Sequence, residues 1–425
     1  MSVKSRLSNH ASIHCQLCWW TTTRHSSRSR NAMLGARAIL LTGFVVLMFN
    51  SGVRFSVGLV LKPMADDLSW TRSAVSASVT LFMVLSALAL PFVGKLVDRF
   101  GPNLVLSTSV LLMGVGTALM SWVDTPVEAL FYYGIITALG NAGTSITPIG
   151  VLISRWYPER VGLANSIAIS GMGVGQLLII MLLSYYLDAL SWRGAFITLG
   201  VANIVCVLPF ILISDRLTQG VAPPAEPASA RTDSLKPGAT LRTPYFLWLL
   251  LLYALCGFHD FLMATHVVAA LVDEGVSPFI AGNMYALMGA AGLAGVLLTG
   301  VFSDRWGPEL PTIFCFVLRI VIFGGLLVSE SHATIVTLAL LFGATFWITA
   351  PLTVVFVTRQ FGTASLGVLA GTVTLVHHAC GGMGALLGGA VFDRFGNYDM
   401  AYWVALVTSI AAIICTLKLR IKAAG

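Results

Sequence analysis

The sequence predicts an all-α membrane protein of twelve transmembrane helices arranged as two six-helix halves, and three observations predict it. Of 425 residues, 57% are apolar and only 10% charged, against roughly 25% charged in soluble domains. So few charges cannot coat a water-facing surface. Twelve runs approach the length of about 20 apolar residues that crosses about 30 Å of hydrocarbon. One long polar break, 215–243, divides them six and six.

In chain order the spans are 37–61, 73–97, 104–122, 127–153, 163–187 and 193–214, then 244–272, 277–301, 310–328, 333–357, 367–392 and 399–419. Each is too long and too continuously apolar for a barrel strand, and only helices or closed barrels satisfy the backbone in lipid. Basic residues flank the runs: Lys95 and Arg99, Arg155 and Arg160, Arg305, Arg359 and the C-terminal tail fall on the same side as the N-terminal tail. The other side holds only Lys62, Arg72, Arg193 and Arg394. This excess places both termini in the cytoplasm and the chain in the cell's inner membrane.

The expected domains are a leader at 1–33, an N-terminal bundle at 34–214, a linker at 215–243 with the Pro/Ala-rich stretch APPAEPASA, and a C-terminal bundle at 244–422. The polar, basic leader lacks the h-region of a signal peptide, and Met33 is an alternative start. Its Cys15-x-x-Cys18 and three histidines have a metal-like spacing, but no metal site is expected there, and no cofactor anywhere. The formal +7 charge is not gathered into a patch with stacking aromatics, which excludes a nucleic-acid partner. Five cysteines inside apolar runs read as small buried thiols.

A pattern G-x-x-x-D-R-[FW]-G occurs three times: Gly94, Asp98, Arg99 and Gly101; Gly300, Asp304, Arg305 and Gly307; and Gly389 to Gly396. The first two follow the second helix of each half, the internal periodicity of a transporter built from repeated bundles. Glycine permits close helix approach, and Asp and Arg at the membrane surface can cap helix ends and bond across a seam. This motif resembles that of the major facilitator superfamily, which implies twelve-helix secondary transport with gating at these residues. The segment WYPERVGLANSIAISG resembles a monocarboxylate-transporter motif at Tyr157, Arg160, Leu163, Ala164, Ile167, Ala168 and Gly171. The acidic-Gly-Trp motif of the animal branch is replaced by LGARA at 34–38, so the resemblance is to bacterial members that move organic anions.

An ionisable side chain in a span costs roughly 2.5–3.5 kcal/mol on insertion scales, which makes it a functional candidate. Arg54 lies deep in the first span with Asn50 one turn earlier, and a guanidinium can grip a carboxylate through two parallel bonds. The resemblance implies a substrate-binding cation at this position. Tyr133 and Asn141 in the fourth span, and Asn283 in the eighth, are candidate substrate contacts; Tyr285 points to the face opposite Asn283. In the seventh span His259, Asp260 and His266 are candidates for a coupled proton. His259 and His266 share a face, with Asp260 turned about 100° away. Arg319 reads as half of a structural ion pair, and the intramembrane His377-His378 pair sits in a span that the resemblance does not make substrate-lining.

No G-x-x-x-x-G-K-[ST] loop for ATP is present, so coupling must come from gradients. The expected partners are a small organic anion, a proton and the lipid bilayer, and the expected function is proton-coupled monocarboxylate symport. An oxalate/formate-type anion exchanger without proton coupling is the alternative. A membrane-embedded enzyme using His377-His378 or His259-Asp260 is the remote one; no enzyme activity and no catalytic residue are expected.

Overall fold

The computed structural model describes residues 7–157, 161–219, 240–361 and 366–420, with side chains from Met33 onward. The first six residues of the leader, most of the linker and Arg160 lie outside the described residues, as do the side chains of leader residues 7–32, Leu163, Asp98 and Asp304 and the surroundings of Gly300. All regular structure among the described residues is helical. In order come α1 (Leu7–Leu68), α2 (Arg72–Phe100), α3 (Pro102–Leu119), α4 (Pro126–Ala129), a π-helical turn (Leu130–Thr137), α5 (Ala138–Gly143), α6 (Ile146–Trp156) and α7 (Val161–Thr218). Then follow α8 (Pro244–Asp273), α9 (Pro278–Trp306), α10 (Glu309–Val328), α11 (His332–Phe346), α12 (Thr349–Phe361), α13 (Leu366–Phe395) and α14 (Asp399–Lys418).

Local chemistry sets the boundaries. Thr71, Thr243 and Ser277 cap α2, α8 and α9 through their side-chain oxygens. Pro244 and Pro278 open their helices at the first position, where a missing N–H costs nothing. Gly101 and Gly307 end α2 and α9 at a φ of 84°, a conformation that glycine adopts freely. That is the local use of the last glycine in the repeated motif.

Ten helices among the described residues are long and apolar enough to cross a membrane. The twelve expected crossings are reached only by counting two irregular regions differently. The 58-residue α7 would extend about 87 Å if straight, but Ser191 has φ 58° and ψ 172° and breaks it into two arms. Trp192 donates to Asp67 at 3.0 Å and Arg193 to the carbonyls of Ser121 and Val123 at 3.1 and 3.0 Å, which fixes that corner. The fourth expected span is not one helix: it passes from α4 through the π-turn to α5, stops at Thr144 and Ser145, and resumes as α6. Pro148 has no N–H to return to the Thr144 carbonyl and its ring would crowd it.

The apolar core explains how the halves meet. On the face where α7 ends and α8 begins, here the linker face, each half has its own cluster: Leu47, Val110 and Ile153 in one, Leu252, Phe316 and Leu352 in the other. Toward the opposite, far face a single cluster joins both halves through Phe55, Phe82, Phe196, Phe261, Tyr285 and Phe342. Consistently, a Cβ at Gly94 or Gly371 near the linker face would meet none of the described residues within 4 Å, whereas Gly382 lies against the Thr80 backbone and Gly173 against Leu293. The halves are packed together from mid-depth to the far face and separate at the linker face.

Candidate functional site

Two arginines stand at mid-depth, and their surroundings differ. Arg319 of α10 is fully buried and pairs with Asp260 of α8 at 2.6 Å. It also donates to the Thr345 hydroxyl at 3.1 Å and the Thr345 carbonyl at 3.2 Å. The other Asp260 oxygen meets His377 Nε2 at 3.2 Å and the Cys256 thiol at 3.5 Å. A charge is tolerable in hydrocarbon when paired and hydrogen-bonded, and this pair ties α8, α10, α11 and α13 together. Cys256, Asp260 and His377 also bring three donor atoms within 4.8 Å of one another. The Arg319 guanidinium already neutralises their single carboxylate, so the donor set does not suit a cation.

Arg54 has no such anion among the described residues. Its Nη2 lies 3.4 Å from His378 Nε2 and 4.0 Å from the Met83 sulfur. Its guanidinium carbon stands 4.5 Å from the centre of the Phe261 ring, and its buried Nε has no hydrogen-bond partner among the described residues. His378 Nδ1 is 2.8 Å from the Thr374 carbonyl. A carbonyl only accepts, so Nδ1 carries the hydrogen and Nε2 offers a lone pair to Arg54. The imidazole in this arrangement is neutral.

Around Arg54 the helices are broken. Besides the interruption between α5 and α6, the tenth expected span breaks between α11 and α12 at Trp347 and Ile348, four and three residues before Pro351. The two breaks thus occupy the fourth span of each half, and paired Pro-interrupted segments of this kind mark midplane binding sites in transporters. Asn50, one turn before Arg54, donates to Asn141 Oδ1 and to Thr144 Oγ1, both at 2.9 Å, and so holds α1 on the first break. Phe55 packs edge-on against Trp347 at the second, at 6.2 Å. Tyr133, fully buried and stacked on Phe82 at 4.6 Å, donates to the Arg54 carbonyl at 3.3 Å.

The structure therefore gathers Arg54, Asn50, Asn141 and Tyr133, although the amides of Asn50 and Asn141 are engaged with each other. Asn283 instead donates to the Phe279 carbonyl of its own helix at 2.8 Å. It is Tyr285 that turns inward, bonding the Ala264 carbonyl at 2.6 Å beside Phe55. The three proton candidates are dispersed. Asp260 is held by Arg319; His259 bonds Thr408 at 2.8 Å between Phe316 and Phe323; His266 sits near the far face. In sequence His378 is only one of an adjacent pair, with nothing to link it to Arg54. Pro351 is not marked by sequence reasoning at all, although its place opposite Pro148 is the available signal.

The sequence pattern described as Major Facilitator Superfamily matches residues 40–385. The chain belongs to the major facilitator superfamily. Among curated relatives, monocarboxylate transporter 13 of Bos taurus is 25% identical over 375 residues, 86% of this chain and 85% of its own. The oxalate:formate antiporter of Oxalobacter formigenes is 34% identical over 224 residues, 51% of each chain. The solved structure of the nucleoside transporter NupG superposes with a TM-score of 0.67 at 14% identity, covering 90% of this chain and 98% of that one. At that identity it shows the fold alone, which is the helical fold of major facilitator transporters.

In this major facilitator the first two motif copies lie at the open linker face. Arg99 and Arg305 sit over the rings of their neighbours Phe100 and Trp306 at 5.2 and 5.3 Å, and a Cβ at Gly94 would meet nothing within 4 Å among the described residues. The close approach expected of Gly94 is therefore absent in this conformation. The third copy, at the far face, is closed against the other half.

Proposed function

We propose that this transporter carries a small organic anion, a monocarboxylate, together with a proton. The observation that carries this reading is Arg54: a guanidinium at mid-depth, beside two broken helices, with no carboxylate of its own among the described residues. An arriving carboxylate supplies the missing charge, and the planar fork orients it through two parallel bonds. The similarity to monocarboxylate transporter 13 and to the oxalate:formate antiporter supports the same substrate class.

His378 supplies a route to proton coupling. With Nε2 facing Arg54 as a bare lone pair, a second proton there would set two cations about 3.4 Å apart, a repulsion that an anion between them relieves. Proton and carboxylate thus favour each other's binding reciprocally. The bundles at 34–214 and 244–422 would rock about this point. The Lys/Arg bias puts the linker face in the cytoplasm of a cell's inner membrane, which makes the present conformation open to the cytoplasm.

The test is uptake of labelled short-chain carboxylates into proteoliposomes under an inward proton gradient. Symport requires that the gradient accelerate net uptake into empty vesicles. The second reading, anion exchange without a proton, is supported by the antiporter similarity; it requires that uptake occur only into vesicles preloaded with an anion and ignore the gradient.

A further inference from the structure

The far face closes through residues that carboxylate binding at Arg54 does not use. Asp393, from the third motif copy, accepts from the backbone N–H of Arg72 at 2.8 Å and of Ser73 at 2.9 Å. Its carboxylate therefore caps the first turn of α2, a helix of the opposite half, where negative charge is favoured. Gly389 of the same copy packs on that turn so closely that a Cβ there would stand 2.7 Å from Ser73 N and Cα. Arg72 lies 3.5 Å over the Phe392 ring and pairs with Asp273 at 2.5 Å. Lys62 closes on Asp273 at 2.7 Å.

Arg72 also donates to the Tyr398 hydroxyl at 2.5 Å, and that hydroxyl lies 3.2 Å from His266 Nδ1. His266 Nε2 stands 2.7 Å from the Ala385 carbonyl and 3.3 Å from Ser76 Oγ. The carbonyl fixes the hydrogen on Nε2, leaving Nδ1 to accept from Tyr398. A directed chain results, Arg72 to Tyr398 to His266 to Ala385, and it requires a neutral imidazole. A proton on Nδ1 would turn an acceptor into a donor, reverse the Tyr398 bond and place an imidazolium near the Arg72 guanidinium.

The nearby carboxylates are already committed. Asp273 of α8 serves Arg72 and Lys62, and Asp393 of α13 serves the α2 terminus. Between Arg72 and Lys95, α2 carries no titratable or charged side chain. From α14 the facing groups are Asp399 and Tyr402, which with Glu274 line a cavity of about 110 Å³ against Tyr398. The same cavity is lined by the exposed loop residues Gly396 and Asn397, so it runs from the far face to Tyr398.

We propose that His266 and Tyr398 form a proton-binding latch: protonation of His266 breaks the chain from Arg72 and frees Asp393 from α2, so that the far face opens. The latch rests on the alternating-access reading and on no choice of substrate. It gives the third motif copy a function at the face opposite the other two.

The test is amide hydrogen exchange on the full-length protein in lipid nanodiscs, without substrate, at about pH 8 and about pH 5.5, on either side of the ordinary histidine value of ~6.5. Rates are corrected for intrinsic exchange and read on the peptide containing the Arg72 and Ser73 amides. Wild-type protection is expected to fall about tenfold or more at the lower pH, the change that one pKa unit of linkage produces. His266→Gln, whose amide can accept from Tyr398 and donate to Ala385, is expected to hold the high-pH protection at both values. Asp393→Asn is expected to lose it at both. Wild-type protection that ignores pH, or a His266→Gln protein that retains the wild-type response, would overturn the latch. Should Asp393→Asn not fold, the glutamine variant alone decides. No substrate is added, so failure here leaves the carboxylate assignment standing, and failure of carboxylate binding leaves the latch standing.

Discussion

Arg54 Nη2 stands 3.4 Å from His378 Nε2, while the other ring nitrogen of His378 donates to the Thr374 carbonyl at 2.8 Å. The guanidinium is thus held against a neutral base rather than an acid. Arg319, by contrast, rests on Asp260 at 2.6 Å. One arginine is neutralised by the protein, and the other meets no carboxylate among the described residues.

Replacing His378 with glutamine removes the protonatable nitrogen while keeping a polar acceptor. Wild-type carboxylate affinity is expected to rise as pH falls, because the added proton brings a second positive charge to the anion. In His378→Gln the affinity should be the same at about pH 8 and about pH 5.5, on either side of ~6.5. Calorimetric titration checks this, and an unaltered pH dependence would move the proton site elsewhere.

Asp260→Asn leaves Arg319 buried without its anion and should destabilise the protein by about 3–5 kcal/mol. The double variant Asp260→Asn with Arg319→Gln should cost less than the sum of the singles, since the two residues are in contact. Thermal unfolding in detergent reads both; an Asp260→Asn protein that melts with the wild type would contradict the structural role.

Pro148→Ala and Pro351→Ala restore an N–H at each break, where an interior proline costs a continuous helix about 3 kcal/mol. Both variants are expected to keep or raise thermal stability while weakening carboxylate binding. Undiminished binding in both would separate the breaks from the site.

Much of this was legible in sequence because it is local. Apolar length marks the spans, and Arg54 is conspicuous as a charge in a run of uncharged residues. What was not legible is long-range. Asp260 and Arg319 are separated by 59 positions and the Arg54–His378 contact by 324, and no periodicity connects them. Helical spacing placed Asn283 and Tyr285 on opposite faces but could not say which face is inward; the packing of Phe55 on Tyr285 at 6.0 Å decides it. The breaks were not legible as such: Pro148 and Pro351 stand in matching spans, but sequence reasoning leaves Pro351 unmarked, and the Asn50 amide that bridges to Thr144 becomes visible only when α1 lies alongside.

The central claim is that Arg54 binds the substrate carboxylate, and calorimetric titration of purified wild-type, Arg54→Lys and Arg54→Gln proteins with a panel of short-chain carboxylates tests it most directly. Arg54→Lys keeps the charge but loses the planar fork, so its binding should be weaker than wild type yet measurable. Arg54→Gln should fold, since the wild-type guanidinium is paired with no carboxylate among the described residues, and should bind no carboxylate. Wild-type affinity in Arg54→Gln would contradict the claim and leave Arg54 a structural residue.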